Sequence, residues 1–589
     1  MPRSDDPGSR LLADPGGSPL FSVSPFSSAG AEPALSAAKA DPFCCASLRA
    51  DASSGGTAGL RLTPTGGGAE LLGPDTRVIA AGGVGVPGQA ATRLSRLMQD
   101  GVARGSSFYV LLHSEALGKS VLVGIGAPPD DFPYFSIDAE SLEFGFEIDC
   151  GLVGEREYSV LLGVSDCPHA LLEAYGDRLG QFARPIAPRP VGWNSWDYYS
   201  GCVSMEDLRG EMAALAQAPY AGRVQYVCID MGWENMWGDW RPNRKFPETY
   251  KEIADEIRAA GFVAGIWVSP LQANVYLPIA RHRRDLFCRD EAGEPVIRSG
   301  NGECLLWDPT VPAVEELFRE TFSAMREAGF ELFKIDYIYR QYVDAAKRFS
   351  DDSLGKAAVI RRLLRVIREA IGHEAHLVSC GAPTEAALGI ADSARVSGDI
   401  HNFWGHVKAC TAQAASCYWM HDRLWVNDPD FAIIRCEQTT DDPYLNRPYT
   451  KRALVDDANY WLAGPEASYE ELRTWLTVVY LTGGSIFLSD SIHRLSGLGH
   501  ETLEKLLSAP PVAARPVDLL SDGPPGVWVG DSEGRRIVGV INWSDEARSV
   551  ALPEGVALPD GGRDMWSGEC VAAGGEVRLA AHSAVVVEG

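Results

Sequence analysis

Seven of eight short apolar runs in the middle of the chain end in, or are directly followed by, a polar or reactive side chain. These side chains are Asp197, Asp230, Asp336, Cys380, Asp399, Asn427 with Asp428, and Asp490. Cleavage of a glycosidic bond needs two flanking carboxyl groups, one that attacks or activates water and one that protonates the leaving oxygen. Asp336 and Asp399 are candidates for such a pair, although an aspartate at this kind of position also serves as a helix cap.

Two cations share strand faces with these carboxylates. Side chains two residues apart on a strand point the same way, so Lys334 is expected beside Asp336, and Arg395 and Ser397 on the face of Asp399. An ammonium favours the ionised carboxylate that a nucleophile requires, while a Lys–Asp pair that only satisfies itself is the structural alternative. A guanidinium would lower the pKa of a general acid, so Arg395 is expected to contact a sugar hydroxyl rather than Asp399.

Tryptophans are concentrated in and beside the same segments. Sugars present apolar C–H faces, so a group of indole rings predicts the walls of a carbohydrate pocket, whereas a single tryptophan is more often core. The group consists of Trp193, Trp196, Trp233, Trp237, Trp240, Trp267, Trp307 and Trp404.

The eight runs alternate with segments of helical periodicity between residue 191 and about residue 500, which indicates βα units and a parallel sheet. Eight strands in one series favour an α/β fold of the (β/α)8 TIM-barrel type, in which all strand ends meet at the C-terminal face. The runs are VGWNSW, VQYVCID, FVAGIWVSP, ELFKID, HLVSCG, ARVSGD, LWVND and SIFLSD. Helices are predicted at 205–216, 250–260, 312–328 and 355–371, and an insertion after strand seven at 436–465.

Short β-rich runs with Gly, Pro and Asp between them flank the barrel on both sides. They predict an N-terminal β-sandwich over 1–185 and a C-terminal antiparallel β-domain over 509–589, with the barrel at 186–508 between them. The proline-rich segment ARPIAPRP separates the first two domains.

Composition excludes several classes of partner. A net charge of -26 repels phosphate backbones and anionic lipid, so neither nucleic acid nor a membrane is expected to bind. The 13 cysteines form no dense framework, and the N-terminus lacks the apolar stretch of a secretory signal, so reduced thiols in a cytoplasmic protein are expected. No HExxH or CxxC pair occurs, and no metal or cofactor is expected. A homo-oligomer is left open.

The strand-end segments resemble the α-galactosidases of glycoside hydrolase family 36, which share a clan with family 27. The resemblance spans the whole barrel, and its motifs are specific in combination. They are GWNSWDYY at 192–199, GDWRPNRKFP at 238–247, GIWVSP at 265–270, FKID at 333–336, SCGAP at 379–383, RVSGD at 395–399 and HDRLWVNDPD at 421–430.

The resemblance implies a retaining exo-glycosidase that releases terminal α-D-galactose by double displacement, with carbohydrate as its partner. Asp336 matches the family's nucleophile and Asp399 its acid/base. Other positions match residues that line the galactose subsite: Lys334, Cys380, Arg395, Asp239 with Trp240, and Trp267. Together with these, Trp193, Trp404, Asp230 and Met231 complete the predicted substrate-binding set.

One position departs from the family's pattern. The family carries two consecutive acids after strand two that bind O4 and O6 of galactose, whereas this chain has Asp230 followed by Met231. Methionine is a weak acceptor that fills apolar space. The altered pocket predicts a sugar without the C6 hydroxyl, such as β-L-arabinopyranose, but a neighbouring residue that replaces the missing acid would keep galactose as substrate.

Three alternative functions stay open. The same site could accept α-N-acetylgalactosaminides, and transglycosylation of the raffinose-synthase type would use the same intermediate with water excluded. A catalytically silent carbohydrate-binding protein on the same fold belongs to a different class. The presence of Asp336 and Asp399 in their motifs argues against it.

Overall fold

The computed structural model describes residues 10–14, 17–28, 36–40, 42–53, 55–80, 90–300, 302–442, 445 and 465–589. Its centre is a TIM barrel of parallel strands. The strands are β1 (Val191–Asn194), β2 (Tyr226–Ile229), β3 (Val263–Val268), β4 (Phe330–Ile335), β5 (His376–Ser379), β6 (Ser393–Arg395), β7 (Val426–Asp428) and β8 (Ile486–Leu488). All eight predicted runs therefore contain a strand, and each pairs in parallel with its neighbour from β1 to β7, while β8 pairs with β1.

The barrel closes through a break in its seventh strand. β7 pairs with β6, and after a two-residue interruption the short strand Phe431–Ala432 pairs with β8. The interruption contains Asp430, whose φ of 79° is left-handed, a conformation that Asp tolerates better than most side chains. The Ser485 amide also donates to the Asn427 carbonyl at 2.9 Å. Strand seven thus changes partner at Asp430.

Helices cover the outside of the barrel and begin where the sequence supplies capping residues. Ser204 and Thr249 each form a capping box with the acid three residues later, and Gly329 ends a helix at a φ of 112°. The predicted helices are confirmed to within one residue at each end. The longer helices are Met205–Leu215, Tyr250–Ala259, Pro312–Ala328, Lys356–Ile371, Trp404–Ser416, Tyr469–Thr482 and Gly497–Ser508. One-turn helices lie at Trp196–Tyr199, Pro278–His282, Arg340–Val343 and Thr384–Ala387.

Two antiparallel sheets form the N-terminal β-sandwich. One has the order Arg10–Ala13, Pro19–Ser27, Gly56–Pro64, Leu142–Ile148, Phe132–Ile137 and Ala103–Ser106. The other has the order Ser36–Ala40, Phe43–Asp51, Glu155–Ser165, Lys119–Ile125, Tyr109–Ser114, Arg77–Ala80 and Thr92–Arg93. The helix Pro168–Gly180, which the sequence pattern did not predict, connects the sandwich to the barrel, and its Tyr175 hydroxyl lies 3.0 Å from the Ile125 carbonyl oxygen.

The C-terminal domain is an antiparallel β-structure, as predicted. Its five-stranded sheet has the order Arg515–Pro516, Val527–Ser532, Arg535–Ile541, Ala584–Glu588 and Arg563–Asp564. Arg548–Ala551 and Glu576–Leu579 form a second sheet of two strands. The domain boundaries at 185 and 508 stay predictions, and most of the predicted insertion at 436–465 lies outside the described residues.

Two small sheets extend the barrel loops. Glu234–Met236 pairs with Asp239–Pro242 after β2, and Gln272–Asn274, Gly302–Leu306 and Ile297–Gly300 form a three-stranded sheet after β3. Both lie on the C-terminal side of the strands that they follow, where TIM barrels build their active sites.

Within the described ranges, the structure contains no helix that is both long and apolar enough to cross a membrane.

Candidate active site

Asp336 directly follows β4 and is held by donors on three sides. Its amide donates to the Val268 carbonyl at 3.0 Å, which keeps it in register with β3. Trp267 Nε1 donates to Oδ2 at 3.2 Å, while the Tyr337 amide and the Tyr339 hydroxyl donate to Oδ1 at 2.6 and 3.2 Å. The residue is only 9% exposed. These contacts fix the direction of one buried carboxylate at the end of the strand.

The backbone around Asp336 adopts uncommon conformations to make these contacts. Tyr337 has a φ of 56°, which is left-handed and rare for an aromatic residue. Tyr339 packs over Gly381 of the β5 loop, where a Cβ atom would lie 2.0 Å from its ring, and Gly381 itself has a φ of 93°. Strained backbone of this kind concentrates at functional sites.

Lys334 contacts Asp230 rather than Asp336. Its Nζ lies 2.8 Å from Asp230 Oδ2, and Asn194 Nδ2 donates to the same oxygen at 2.9 Å. The ammonium also lies 4.9 Å from the centre of the Phe431 ring. The ammonium that was expected beside Asp336 thus makes its direct contact with the carboxylate at the end of β2.

The charges nevertheless act on Asp336 through space. Burial raises the pKa of Asp336; the Lys334 ammonium opposes that rise and the Asp399 carboxyl adds to it. Burial lowers the pKa of Lys334, but the Asp230 carboxylate, together with Cys380 and Asp336, opposes it, and the pKa lies well above the usual value. Lys334 therefore stays charged and favours the ionised form of Asp336.

Arg395 connects β6 to the second predicted catalytic acid. Its Nη2 lies 3.1 Å from Asp399 Oδ1, and its Nη1 donates to the Cys380 sulfur at 3.5 Å. The expectation that Arg395 avoids Asp399 is wrong in this structure, since the i,i+4 spacing in the β6 loop brings the two groups together. The guanidinium is buried, whereas the Asp399 side chain is 51% exposed. Asp399 is thus the accessible carboxyl and Asp336 the enclosed one.

Asp430 completes this cluster, and sequence reasoning did not single it out. Its Oδ1 lies 3.0 Å from Arg395 Nη1, and its Oδ2 accepts the Ile400 amide at 2.6 Å. Burial raises the pKa of Asp430, while the Arg395 guanidinium opposes this. The segment HDRLWVNDPD contains the residue, and the Pro–Asp step that interrupts a strand was the available signal.

Met231 lies in an apolar wall beside Asp336. It packs against a cluster formed by Trp237, Trp267 and Cys304, together with Tyr337. The Trp237 and Tyr337 ring centres are 4.5 Å apart. Trp267 belongs to this wall and also donates to Asp336, so the wall and the carboxylate form one site.

The remaining predicted substrate-binding residues make other contacts. Trp193 is 0% exposed and donates to the Asp490 carbonyl at 2.9 Å. Trp240 is buried and donates to the Ser269 carbonyl at 3.2 Å. Neither ring belongs to the cluster of Trp237, Trp267 and Cys304 beside Asp336.

Asp239 and Trp404 are more accessible. Arg241 Nε and Asn235 Nδ2 donate to the Asp239 carboxylate at 2.7 and 2.8 Å, and the guanidinium lowers the pKa of that carboxylate. Trp404 stacks on His582 of the C-terminal domain, with ring centres 4.4 Å apart. The structure places Trp404 at a contact between the barrel and the C-terminal domain.

Two other strand-end acids have a structural role. Asp197 and Asp490 both bind the fully buried guanidinium of Arg435, with 2.6 Å between Arg435 Nη1 and Asp490 Oδ1. The Ile434 amide donates to the other Asp490 oxygen at 2.6 Å. This triad connects the segments after β1, β7 and β8, so a strand-end aspartate by itself does not identify a catalytic group.

A family model described as "Glycosyl hydrolases family 31 TIM-barrel domain" matches residues 193–417. The matched stretch begins in β1 and ends before β7. It contains Asp230, Asp336 and Asp399.

Solved glycosidase structures share the fold. An α-galactosidase from Thermus thermophilus in complex with stachyose is 20% identical, with a TM-score of 0.63 over 85% of this chain and 99% of that chain. A family 36 α-galactosidase from Geobacillus stearothermophilus is 13% identical, with a TM-score of 0.61 over 99% and 89% of the two chains. A family 27 β-L-arabinopyranosidase from the same organism is 16% identical, with a TM-score of 0.52 over 70% and 97%.

The fold and the matched domain are those of a glycosidase enzyme. The family model names family 31, whereas the similar structures include families 27 and 36, so the comparisons define the class of enzyme and not one family within it.

Proposed function

We propose that this chain is a retaining exo-glycosidase, most similar to family 36, that releases terminal α-D-galactose or a galactose-like sugar. The observation that carries the proposal is the unequal pair of carboxyls at the ends of β4 and β6. Asp336 is buried and fixed by three donors, and Asp399 is half exposed. A nucleophile requires a fixed direction of attack, whereas an acid/base must reach both the leaving group and water.

The proposed reaction has two displacements on the same carbon. In the first, Asp336 attacks the anomeric carbon while Asp399 gives its proton to the departing glycosidic oxygen, which breaks the bond to the aglycone. In the second, ionised Asp399 takes a proton from water, whose oxygen attacks the same carbon and releases Asp336 as a carboxylate. The proton taken from water restores the acid form of Asp399, and the two displacements together retain the configuration of the sugar.

The surrounding residues hold the nucleophile and the sugar. Trp267 and Tyr339 donate to Asp336 and keep its attacking oxygen aimed at one position. We assign the polar contacts of the glycone to the Lys334–Asp230 pair, since both groups are buried beside Asp336 and carry capacity for further hydrogen bonds.

A galactose-type glycone is supported by the complexes of the similar Thermus thermophilus enzyme with stachyose and with p-nitrophenyl α-D-galactopyranoside. The second candidate is a β-L-arabinopyranoside. The packing of Met231 against the cluster that contains Trp237 and Trp267 favours it, because the methionine thioether is only a weak acceptor for a C6 hydroxyl.

The test measures initial rates on aryl α-D-galactopyranoside, aryl β-L-arabinopyranoside and aryl α-N-acetylgalactosaminide, with Asp336→Asn as the blank. We expect the galactoside to be hydrolysed fastest and to release the α-anomer first, as seen by proton NMR. Preference for the arabinoside would establish the second candidate, and products enlarged by an added sugar acceptor would indicate transglycosylation. A folded chain that is inactive on all three substrates would refute the proposal.

A further inference from the structure

We propose that Asp430 is a positioning residue for the acid/base, which fixes Arg395 and the loop after Asp399 so that one guanidinium is shared by two carboxylates. The inference rests on the proposed function, since it assigns a role relative to the acid/base Asp399. It adds a third carboxylate to the machinery of this site.

The geometry ties Asp430 to Asp399 along two routes. Through its Oδ1 it binds Arg395 Nη1 at 3.0 Å, and the other arm of that guanidinium lies 3.1 Å from Asp399. Through its Oδ2 it accepts the amide of Ile400, the residue directly after Asp399, at 2.6 Å. A single buried carboxylate therefore holds both the cation that contacts Asp399 and the backbone that carries it.

The position of Asp430 in the fold makes this hold rigid. It occupies the break in strand seven, where pairing with β6 ends and pairing with β8 begins. Its amide donates to Asp428 Oδ1 at 3.0 Å. The residue is 1% exposed. Its left-handed φ of 79° is tolerated by Asp, Asn and Gly, so the backbone can be kept while the carboxylate is changed.

Sharing the guanidinium resolves a conflict of charge. Arg395 alone would stabilise the ionised form of Asp399 and weaken it as an acid, while the ionised form of Asp430 on the same guanidinium offsets that effect. Burial raises the pKa of Asp430, so the offset grows as the pH rises and Asp430 loses its proton. The other charged and titratable groups that act on these two carboxyls are Asp336, Asp428, Lys334, Cys380 and Cys410. The hydroxyls of Tyr337 and Tyr339 also lie within electrostatic reach of Asp399.

The experiment compares pH–rate profiles of the wild type and Asp430→Asn on aryl glycosides with good and poor leaving groups. Asn is neutral and fits the left-handed backbone, so the substitution removes the charge and keeps the fold intact. We expect the basic limb of kcat/KM to move about one unit to lower pH, because Asp399 is then deprotonated more easily. The rate on the poor leaving group should fall by about 10- to 100-fold, with a smaller loss on the good one.

The matched control is Asp392→Asn. Asp392 is also a buried aspartate that binds a guanidinium, that of Arg184 at 2.9 Å, and a backbone amide, that of Leu377 at 2.8 Å, but it lies between β5 and β6 at the other end of the strands. We expect its basic limb to stay where the wild type has it. If both variants shift alike, the effect is not specific to Asp430 and the inference fails.

Asp430→Gly is the second variant, for the case in which Asn at this position does not fold. Glycine adopts the same φ without strain and also removes the carboxylate, so its basic limb should move in the same direction. An unchanged limb in a folded Asn or Gly variant, or equal losses on good and poor leaving groups, would overturn the inference. A wild type that is inactive on every glycoside would refute the proposed function instead.

Discussion

The ammonium of Lys334 lies 2.8 Å from the carboxylate of Asp230, although Asp336 is only two residues further along the same chain. Asp336 accepts neutral donors instead, from Trp267, the Tyr337 amide and Tyr339. A carboxylate held by neutral donors keeps more of its nucleophilicity than one bound directly to a cation. The charge of Lys334 then favours ionisation of Asp336 without occupying its oxygens.

Asp336→Asn should abolish turnover, by roughly 10⁴-fold or more, because no other group at the end of β4 is placed to attack the sugar. The amide fits the same space, so circular dichroism and thermal unfolding should match the wild type. Asp285→Asn is the control, since Asp285 pairs with Arg283 on the exposed surface at 2.7 Å. A folded Asp336→Asn enzyme with wild-type rates would remove the nucleophile assignment.

Asp399→Asn should be most harmful on substrates with poor leaving groups, because these depend on protonation of the leaving oxygen. On an activated aryl glycoside the first displacement should continue and a burst of aryl product should precede a slow second step. Stopped-flow absorbance measures the burst. Equal loss across leaving groups, without a burst, would contradict the acid/base role.

Lys334→Gln should raise the pKa of Asp336, since it removes a positive charge that stabilises the carboxylate. The nucleophile must be ionised, so the acid limb of the kcat/KM profile should move to higher pH while the basic limb moves less. Lys356→Gln provides the comparison, because Lys356 is a buried lysine that pairs with Asp149 at 3.2 Å, outside this cluster. An acid limb that stays in place in Lys334→Gln would mean that the ammonium does not act on Asp336.

Met231→Asp should raise the ratio of α-galactoside to β-L-arabinopyranoside rates by about tenfold, since a carboxylate can accept a hydrogen bond from a C6 hydroxyl. Met231→Leu keeps the apolar contact with Trp237 and Trp267 and should leave the ratio unchanged. Initial rates on the two aryl glycosides give the ratio. An unchanged ratio in a folded Met231→Asp variant would show that position 231 does not discriminate between sugars with and without a C6 hydroxyl.

Arg435→Leu should destabilise the protein by about 3–5 kcal/mol, because it leaves Asp197 and Asp490 buried without their cation. Urea unfolding measures the change. Arg284→Leu should have an effect within about 0.5 kcal/mol, as its pair with Glu294 is exposed to solvent. Similar losses in both variants would indicate that the buried triad contributes no more than a surface ion pair.

The sequence was sufficient for the strands and most barrel helices because each carries a local signal. An apolar run that ends in, or is followed by, a polar or reactive side chain marked seven of the eight barrel strands, and helical periodicity marked four of the helices between them. The helix Pro168–Gly180 was missed, because the preceding β-rich segments gave it no boundary of its own.

The candidate site was predicted as a list of strand-end residues but not as a set of contacts. Strand parity places Lys334 and Asp336 on one face, yet it cannot show that Asp230 on a neighbouring strand lies nearer to the ammonium. The pairing of Arg395 with Asp430 depends on how strand seven is interrupted, which is a property of the closed barrel. Contacts between distant segments were therefore the part that the sequence pattern could not supply.

The change of partner in strand seven also constrains how the barrel can assemble. Among the described residues, the barrel strand that pairs with Phe431–Ala432 is β8, which also pairs with β1. A nascent chain that stops before residue 486 therefore leaves Phe431–Ala432 and the β8-facing edge of β1 unpaired. Unpaired edges invite association with other chains. Protection of these edges therefore waits for the synthesis of the last barrel strand, and a chain shortened at that point should aggregate rather than fold into a smaller barrel.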